Sequence, residues 1–115
     1  MFIVQRIYSF TPGENETLVL VDRIWPRGIT KDKFPIHSWM KEIAPSDALR
    51  KWFSHDPKKW DEFRKRYFKE LKKKEELVKR LLESGKKKKV ILLFGARDER
   101  HNNATALKEY LDKQG

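Results

Sequence analysis

The chain contains no cysteine. This excludes a disulfide framework, a thiolate metal site and a cysteine nucleophile. Glutamine is sparse while lysine and glutamate are abundant, a bias that resembles thermophile proteins. No apolar run approaches the roughly 20 residues that cross a bilayer. The N-terminal MFIVQRIYSF has an arginine inside its apolar stretch and no small-residue cleavage site, so it does not read as a signal peptide. A cytoplasmic protein with no membrane partner is the expectation. The chain has no GxSxG, no P-loop, no GxGxxG and no internal repeat. Its three histidines, His37, His55 and His101, offer no i, i+4 pair, so neither a metal site nor a cofactor is expected.

What is present fits one small domain. A chain of 115 residues can bury a single core. The formal net charge is +10, and it is unevenly spread: Lys58 to Lys89 holds 15 lysines and arginines against 6 acids. Such a surface attracts nucleic acid, through counterion release, or acidic membrane lipid. It is equally read as a solvated lysine-rich face that keeps the protein in solution.

Four apolar residues, Leu18 to Val21, lead into VDRIWPRG. A continuous run of this kind suits a strand buried on both faces, as in a parallel sheet. The second strand is placed at Leu18 to Asp22. Phe2 to Tyr8 reads as the first strand, and Thr11-Pro12-Gly13 as a turn too short for a helical crossover. The first two strands are therefore read as antiparallel, or joined by one irregular turn. Ile29 to Phe34 is a polar loop. His37 to Ile43 reads as a strand ending at Ala44-Pro45. Ser46 suits the N-cap of a helix over Asp47 to Phe53, and Asp56-Pro57 starts another to about Lys72. In that helix Trp60, Phe63, Tyr67 and Leu71 make one apolar stripe. A third helix covers Glu75 to Ser84, with Gly85 at its C′ position. Val90 to Phe94 reads as a central parallel strand next to Val19 to Val21. Asn102 or Asn103 caps a last helix that buries Ala104, Leu107 and Leu111. The fold class is α/β: a small, mostly parallel sheet flanked by helices.

In open α/β sheets, ligands bind beyond the carboxyl ends of strands. Two strands here end in polar loops, Asp22 to Gly28 and Gly95 to Asn102. Arg23, Arg27, Arg97 and Arg100 could converge there on an anion, since guanidinium groups donate paired hydrogen bonds to phosphate or carboxylate. The alternative is that they brace the loops by pairing with Asp22, Asp98 and Glu99. Gly28 lets the backbone turn or approach a ligand, and the helix starts near Ser46 and Asn102 offer backbone donors. Asp22 and His101 are the candidates for proton transfer; His55, just before the Asp56-Pro57 cap, reads as structural. Trp25, between two arginines, either stacks on an aromatic ligand or packs over its own loop. Trp39, Trp52 and Trp60 read as core.

The stretches VDRIWPRG, WMKEIAPSDALRKWFSHDP, WDEFRKRY and VILLFGARDERHNNATALKEYL resemble, in order, the YeaO-like proteins, within domain-of-unknown-function family 488. The resemblance runs from Leu18 to Leu111. It implies a small cytoplasmic α/β domain and no particular activity. The family's signature positions fall on Asp22, Arg23, Trp25, Pro26, Arg27 and Gly28, then on Ala44, Pro45, Ser46, Arg50, His55, Asp56 and Tyr67. The last of them fall on Arg97, Asp98, His101 and Asn102. Longer relatives carry Cys-His-Arg after the last strand; Arg100-His101-Asn102 stands here, so no thiol chemistry carries over.

Two functions are expected from these observations. One is binding of an anionic, phosphate-bearing small molecule at the carboxyl edge of the sheet, with weak turnover open to Asp22 and His101. The other is nucleic-acid binding on the basic surface, with Lys86, Lys87, Lys88 and Lys89 as its densest part. A regulatory domain without chemistry is the third, blander possibility.

Overall fold

A computed structural model of the chain describes residues 1–11, 13–30, 32 and 36–114. Pro12 of the expected turn, and Lys31, Lys33 and Phe34 of the expected polar loop, lie outside the described residues. Four strands, β1 (Phe2–Arg6), β2 (Glu16–Leu20), β3 (Ser38–Trp39) and β4 (Lys89–Phe94), form one sheet in the order β1-β4-β2-β3. All pairings are parallel, with Val19 opposite Leu92 and Val4 opposite Leu92 on the other side. The most apolar strand, β4, is thus central, and the strand run read from Leu18 to Val21 lies beside it.

The antiparallel alternative for the first two strands is overturned. β4 separates β1 from β2, so their link need not make a hairpin. Strand limits also shift. β1 ends at Arg6, and Ile7–Ser9 forms a 3-10 turn. β2 starts at Glu16 and ends at Leu20, although the Val21 N–H still donates to the Leu93 carbonyl at 3.1 Å.

The expected strand over His37 to Ile43 is reduced to two residues followed by a 3-10 turn, Lys41–Ile43. Alternation alone puts Trp39 and Ile43 on one face. The backbone turns at Met40 (φ −96°, ψ 63°), and Ile43 is buried on the opposite side of the sheet from Trp39. His37 completes the edge: its N–H donates to the Leu18 carbonyl at 3.0 Å, and its Nδ1 accepts from the Leu18 N–H at 2.8 Å.

Four helices follow: α1 (Asp47–Phe53), α2 (Trp60–Lys72), α3 (Glu75–Lys87) and α4 (Asn103–Gln114). All pack on one face of the sheet, against Val19, Val21, Val90, Leu92 and Phe94. The stripe Phe63, Tyr67 and Leu71 of α2 is buried there. On the other face Leu18, Leu20, Ile91 and Leu93 are covered by Phe10, Trp25, Ile29, Ile36 and Trp39, which belong to loops and the edge strand. The caps follow the sequence. Ser46 Oγ accepts from the Leu49 N–H, Asp56 caps a 3-10 turn at Pro57–Lys59, and Asn102 Oδ1 accepts from the Thr105 N–H.

Gly85 is not a C′ residue, because α3 runs through it to Lys87. Its lack of a side chain serves packing: a Cβ there would lie 2.7 Å from Cζ of Phe2. The terminal amine of Met1 donates to the Gly85 carbonyl at 2.8 Å, so the start of β1 sits tightly on the helix.

Candidate functional site

Parallel strands deliver their following segments to one edge. Here that edge holds a cleft of about 380 Å³. After β1 it takes Tyr8; after β2, Asp22 to Arg27; after β4, Gly95 and Ala96; and from the start of α4, His101, Asn102 and Asn103. The helical layer closes it with Ala44, Pro45, Arg50, Phe53, His55 and Phe63.

Asp22 lies at the base. Its Oδ2 accepts from the Gly95 N–H at 2.8 Å, and its main-chain carbonyl accepts from Trp39 Nε1 at 2.7 Å. Burial pushes the Asp22 carboxyl above its ordinary value; the Gly95 N–H, the Asn103 side chain and the nearby His55 pull the other way. Asn103 also donates to the Val21 carbonyl at 2.8 Å. Asp22 therefore joins the ends of β2, β4 and α4.

The arginines divide into two kinds. Arg23 is a brace: Nε donates to the Pro45 carbonyl at 3.0 Å and Nη2 to the Ala44 carbonyl at 3.3 Å. The same Ala44 carbonyl accepts from Lys74 Nζ at 3.0 Å, and burial lowers the Lys74 pKa. The loop-bracing alternative is thus realised for Arg23, but through main-chain carbonyls of the segment before α1 rather than the acids expected. Arg27 is exposed, and its guanidinium has no hydrogen bond or ion pair among the described residues. Its main chain is fixed, since Tyr8 Oη donates to the Arg27 carbonyl at 2.7 Å. Arg50 lines the cleft from α1 while bonding Asp47 Oδ1 at 3.3 Å. Arg97 and Arg100 are exposed and do not line the cleft.

Other expected residues are occupied by the fold. The Ser46 N–H and hydroxyl both donate to the Glu70 carboxylate, at 2.8 and 2.7 Å, and Ser46 lies outside the cleft lining. Gly28 adopts φ +81° in an exposed turn and is also outside it. Asn102 is buried at 2 % exposure as the α4 cap, with Nδ2 donating to the Asp98 carbonyl. His101 Nδ1 lies 2.9 Å from Asp98 Oδ2, and its ring meets Trp60 edge-on. The backbone N–H groups of Arg100 and His101, together with the imidazole, hold the Asp98 carboxyl below its ordinary value. Trp25 does two things: it borders the cleft, and it packs over the loop, with Nε1 donating to the Ile29 carbonyl and its ring edge-on to Trp39.

The cleft thus brings together Asp22, Arg23, Trp25, Arg27, His101 and Asn102, and leaves out Gly28, Ser46 and Arg97. Lys86 to Lys89 lie at the opposite end of β4, with Lys89 Nζ 3.7 Å from Glu16 Oε2. Sequence reasoning assigned no site role to Tyr8, Asn103 or His55. The carboxyl-edge rule applied to β1 would have reached Tyr8 had that strand been ended at Arg6. Among the described residues no group of three His, Cys, Asp or Glu side chains could hold a metal ion. Among the described residues no helix is long and apolar enough to cross a membrane.

Fold and cleft together define a small parallel α/β domain with an arginine-bearing cleft at the carboxyl edge of its sheet. The chain belongs to the DUF488 family: the family model described as "Inactive DUF488-N3 subclade" matches residues 1–114. It is similar to the uncharacterised protein YeaO of Escherichia coli, at 37% identity over 93% of each chain. It is also similar to uncharacterised proteins of Mycobacterium tuberculosis and Mycobacterium bovis, at 47% identity over 68 residues, which are 59% of this chain and 58% of each relative. The match therefore spans little more than half the length of those mycobacterial proteins. No solved structure matches the chain at a significant level.

Proposed function

We propose that this domain binds a small anionic ligand, with phosphate as its charged group, in the cleft at the carboxyl edge of the sheet. The observation that carries the reading is Arg27. Its main chain is anchored by Tyr8, while its guanidinium has no protein partner among the described residues and borders the cleft. An unpaired guanidinium carried on an anchored main chain is suited to an oxyanion. Arg50 and His55 add positive or protonatable groups to the same rim. The walls of Phe53, Phe63, Pro45 and Ala96 suit a ligand whose remainder is apolar.

Binding without turnover is the favoured form. The family description itself reads "inactive". Asp22 Oδ2 accepts from the Gly95 N–H and His101 Nδ1 lies against Asp98, contacts that hold both side chains in place. The second reading, nucleic-acid binding by the basic helices, is supported by the excess charge between Lys58 and Lys89. It is weakened by internal pairing there: Arg64 with Asp61 and Glu109, and Arg66 with Glu62.

The test is calorimetric titration with inorganic phosphate and pyrophosphate. Saturable binding that Arg27→Ala abolishes supports the anion reading. Binding unchanged by Arg27→Ala, or no binding by the unaltered chain, overturns it.

A further inference from the structure

We propose that His55 is a ligand-binding residue of this cleft, held there by a left-handed turn so that its imidazole can donate to the anion that Arg27 and Arg50 attract. The assignment rests on the anion reading above.

The turn between α1 and the Asp56 cap contains two consecutive residues of left-handed conformation, Ser54 at φ 46° and His55 at φ 57°. Left-handed backbone is disfavoured for residues that carry a Cβ, and glycine adopts it freely. A connection of this shape between two helical segments is ordinarily made with glycine or asparagine. The sequence here places serine and histidine instead.

The fold gains little from the histidine side chain. His55 is exposed, and its imidazole makes no hydrogen bond or ion pair among the described residues. The bonds that close the turn are main-chain: the Ser54 N–H donates to the Arg50 carbonyl at 3.0 Å, and the Asp56 N–H to the Phe53 carbonyl at 3.0 Å. A glycine at either position could make the same turn. Strained backbone of this kind gathers at functional sites, where the position of a side chain is worth its cost. His55 borders the cleft while Ser54 does not, and His55 lies close enough to Asp22 to favour that carboxylate electrostatically. The imidazole thus shares the cleft lining with Asp22, Arg27 and Arg50, with its ring nitrogens uncommitted among the described residues.

Three variants separate backbone from side chain: Ser54→Gly, His55→Gly and His55→Asn. Thermal melts are read without ligand, and pyrophosphate and inorganic phosphate affinities by calorimetry. Ser54→Gly should raise the Tm by about 2 °C and leave affinity within about twofold, because it relieves strain outside the cleft. His55→Gly should raise the Tm similarly and weaken pyrophosphate binding about tenfold, as expected for loss of one hydrogen bond to a charged group. His55→Asn tolerates the left-handed backbone, so it should keep the Tm and lose the affinity. Affinity unchanged in both His55 variants overturns the assignment. A Tm lowered in both shows a structural side chain and overturns it as well. If the unaltered chain binds neither probe, the anion reading itself fails and takes this assignment with it.

Discussion

The Gly95 N–H donates to Asp22 Oδ2 at 2.8 Å, across the ends of the neighbouring strands β2 and β4. A Cβ at Gly95 would approach that same oxygen to 3.3 Å, so a side chain there would require the carboxyl to give by a few tenths of an ångström. The bond sets the base of the cleft. It also places a carboxyl where burial opposes its ionisation.

That opposition gives a signed pH dependence. The folded-state pKa of Asp22 is raised above 3.8. The folded chain therefore holds this proton more tightly than the unfolded one, and stability declines as pH rises from the unfolded value through the folded one. Asp22→Asn removes this titration and keeps an oxygen to accept from Gly95. The Tm of the variant relative to the parent should rise between pH 3 and neutrality. A flat difference across that range would show that the carboxyl is not penalised by its surroundings.

Arg23 and Arg27 should behave oppositely. Arg23→Ala removes two bonds to buried main-chain carbonyls and should cost about 1–2 kcal/mol, read from urea denaturation. Arg27→Ala touches an exposed group and should change stability by less than about 0.5 kcal/mol, while losing the bound anion. A large stability loss for Arg27→Ala would make it a second brace.

Gly85→Ala sets local propensity against packing. In an exposed helix the change would stabilise by about 1 kcal/mol. Here the new methyl would meet the ring of Phe2 at 2.7 Å. Overpacking costs about 1–3 kcal/mol, so the Tm should fall. It should fall less in a Phe2→Leu background, where the ring is gone. A rise in the parent background would mean that β1 shifts freely on α3.

Tyr67 is fully buried and its Oη donates to the Ile43 carbonyl at 2.7 Å. Burial holds its pKa well above the ordinary value. Tyr67→Phe leaves that carbonyl without its donor and should cost about 1–2 kcal/mol in denaturant melts. Because Ile43 leads directly into the braced Ala44-Pro45 segment, amide exchange there should quicken as well.

Replacing Lys86 to Lys89 with serine tests the basic surface. If it binds nucleic acid, affinity for single- and double-stranded oligonucleotides should fall for all sequences, and the salt dependence should flatten. No binding by the parent at low salt would leave these lysines as a solvated face. A loss of stability would trace to the last turn of α3, which holds Lys86 and Lys87, and to the Lys89–Glu16 pair.

Much of the fold was legible in local pattern. The β4 run of five apolar residues, the 3- and 4-spaced stripe of α2, and the caps at Ser46, Asp56 and Asn102 each report a short-range preference that the tertiary structure keeps. The neighbouring parallel strands and their carboxyl-edge loops followed from these. The errors came where a distant contact decides. Alternation over Trp39 to Ile43 suits a strand, but Tyr67 on α2 holds the Ile43 carbonyl on the other side of the sheet. Gly85 looks like a helix stop until Phe2 is seen to occupy the space a side chain would need. Asp22, Arg27 and His101 could be assigned to one cleft because chain direction alone carries them there. Whether an arginine is a brace or a free cation could not be read, since Arg23 and Arg27 have similar local surroundings and differ only in what the α1 approach places beside them. The sequence by itself therefore determined the elements and the edge at which they open. Only the tertiary structure decided which polar groups at that edge are already paired, because hydrogen bonds between Arg23 and Ala44 or Asp22 and Gly95 join residues far apart in the chain.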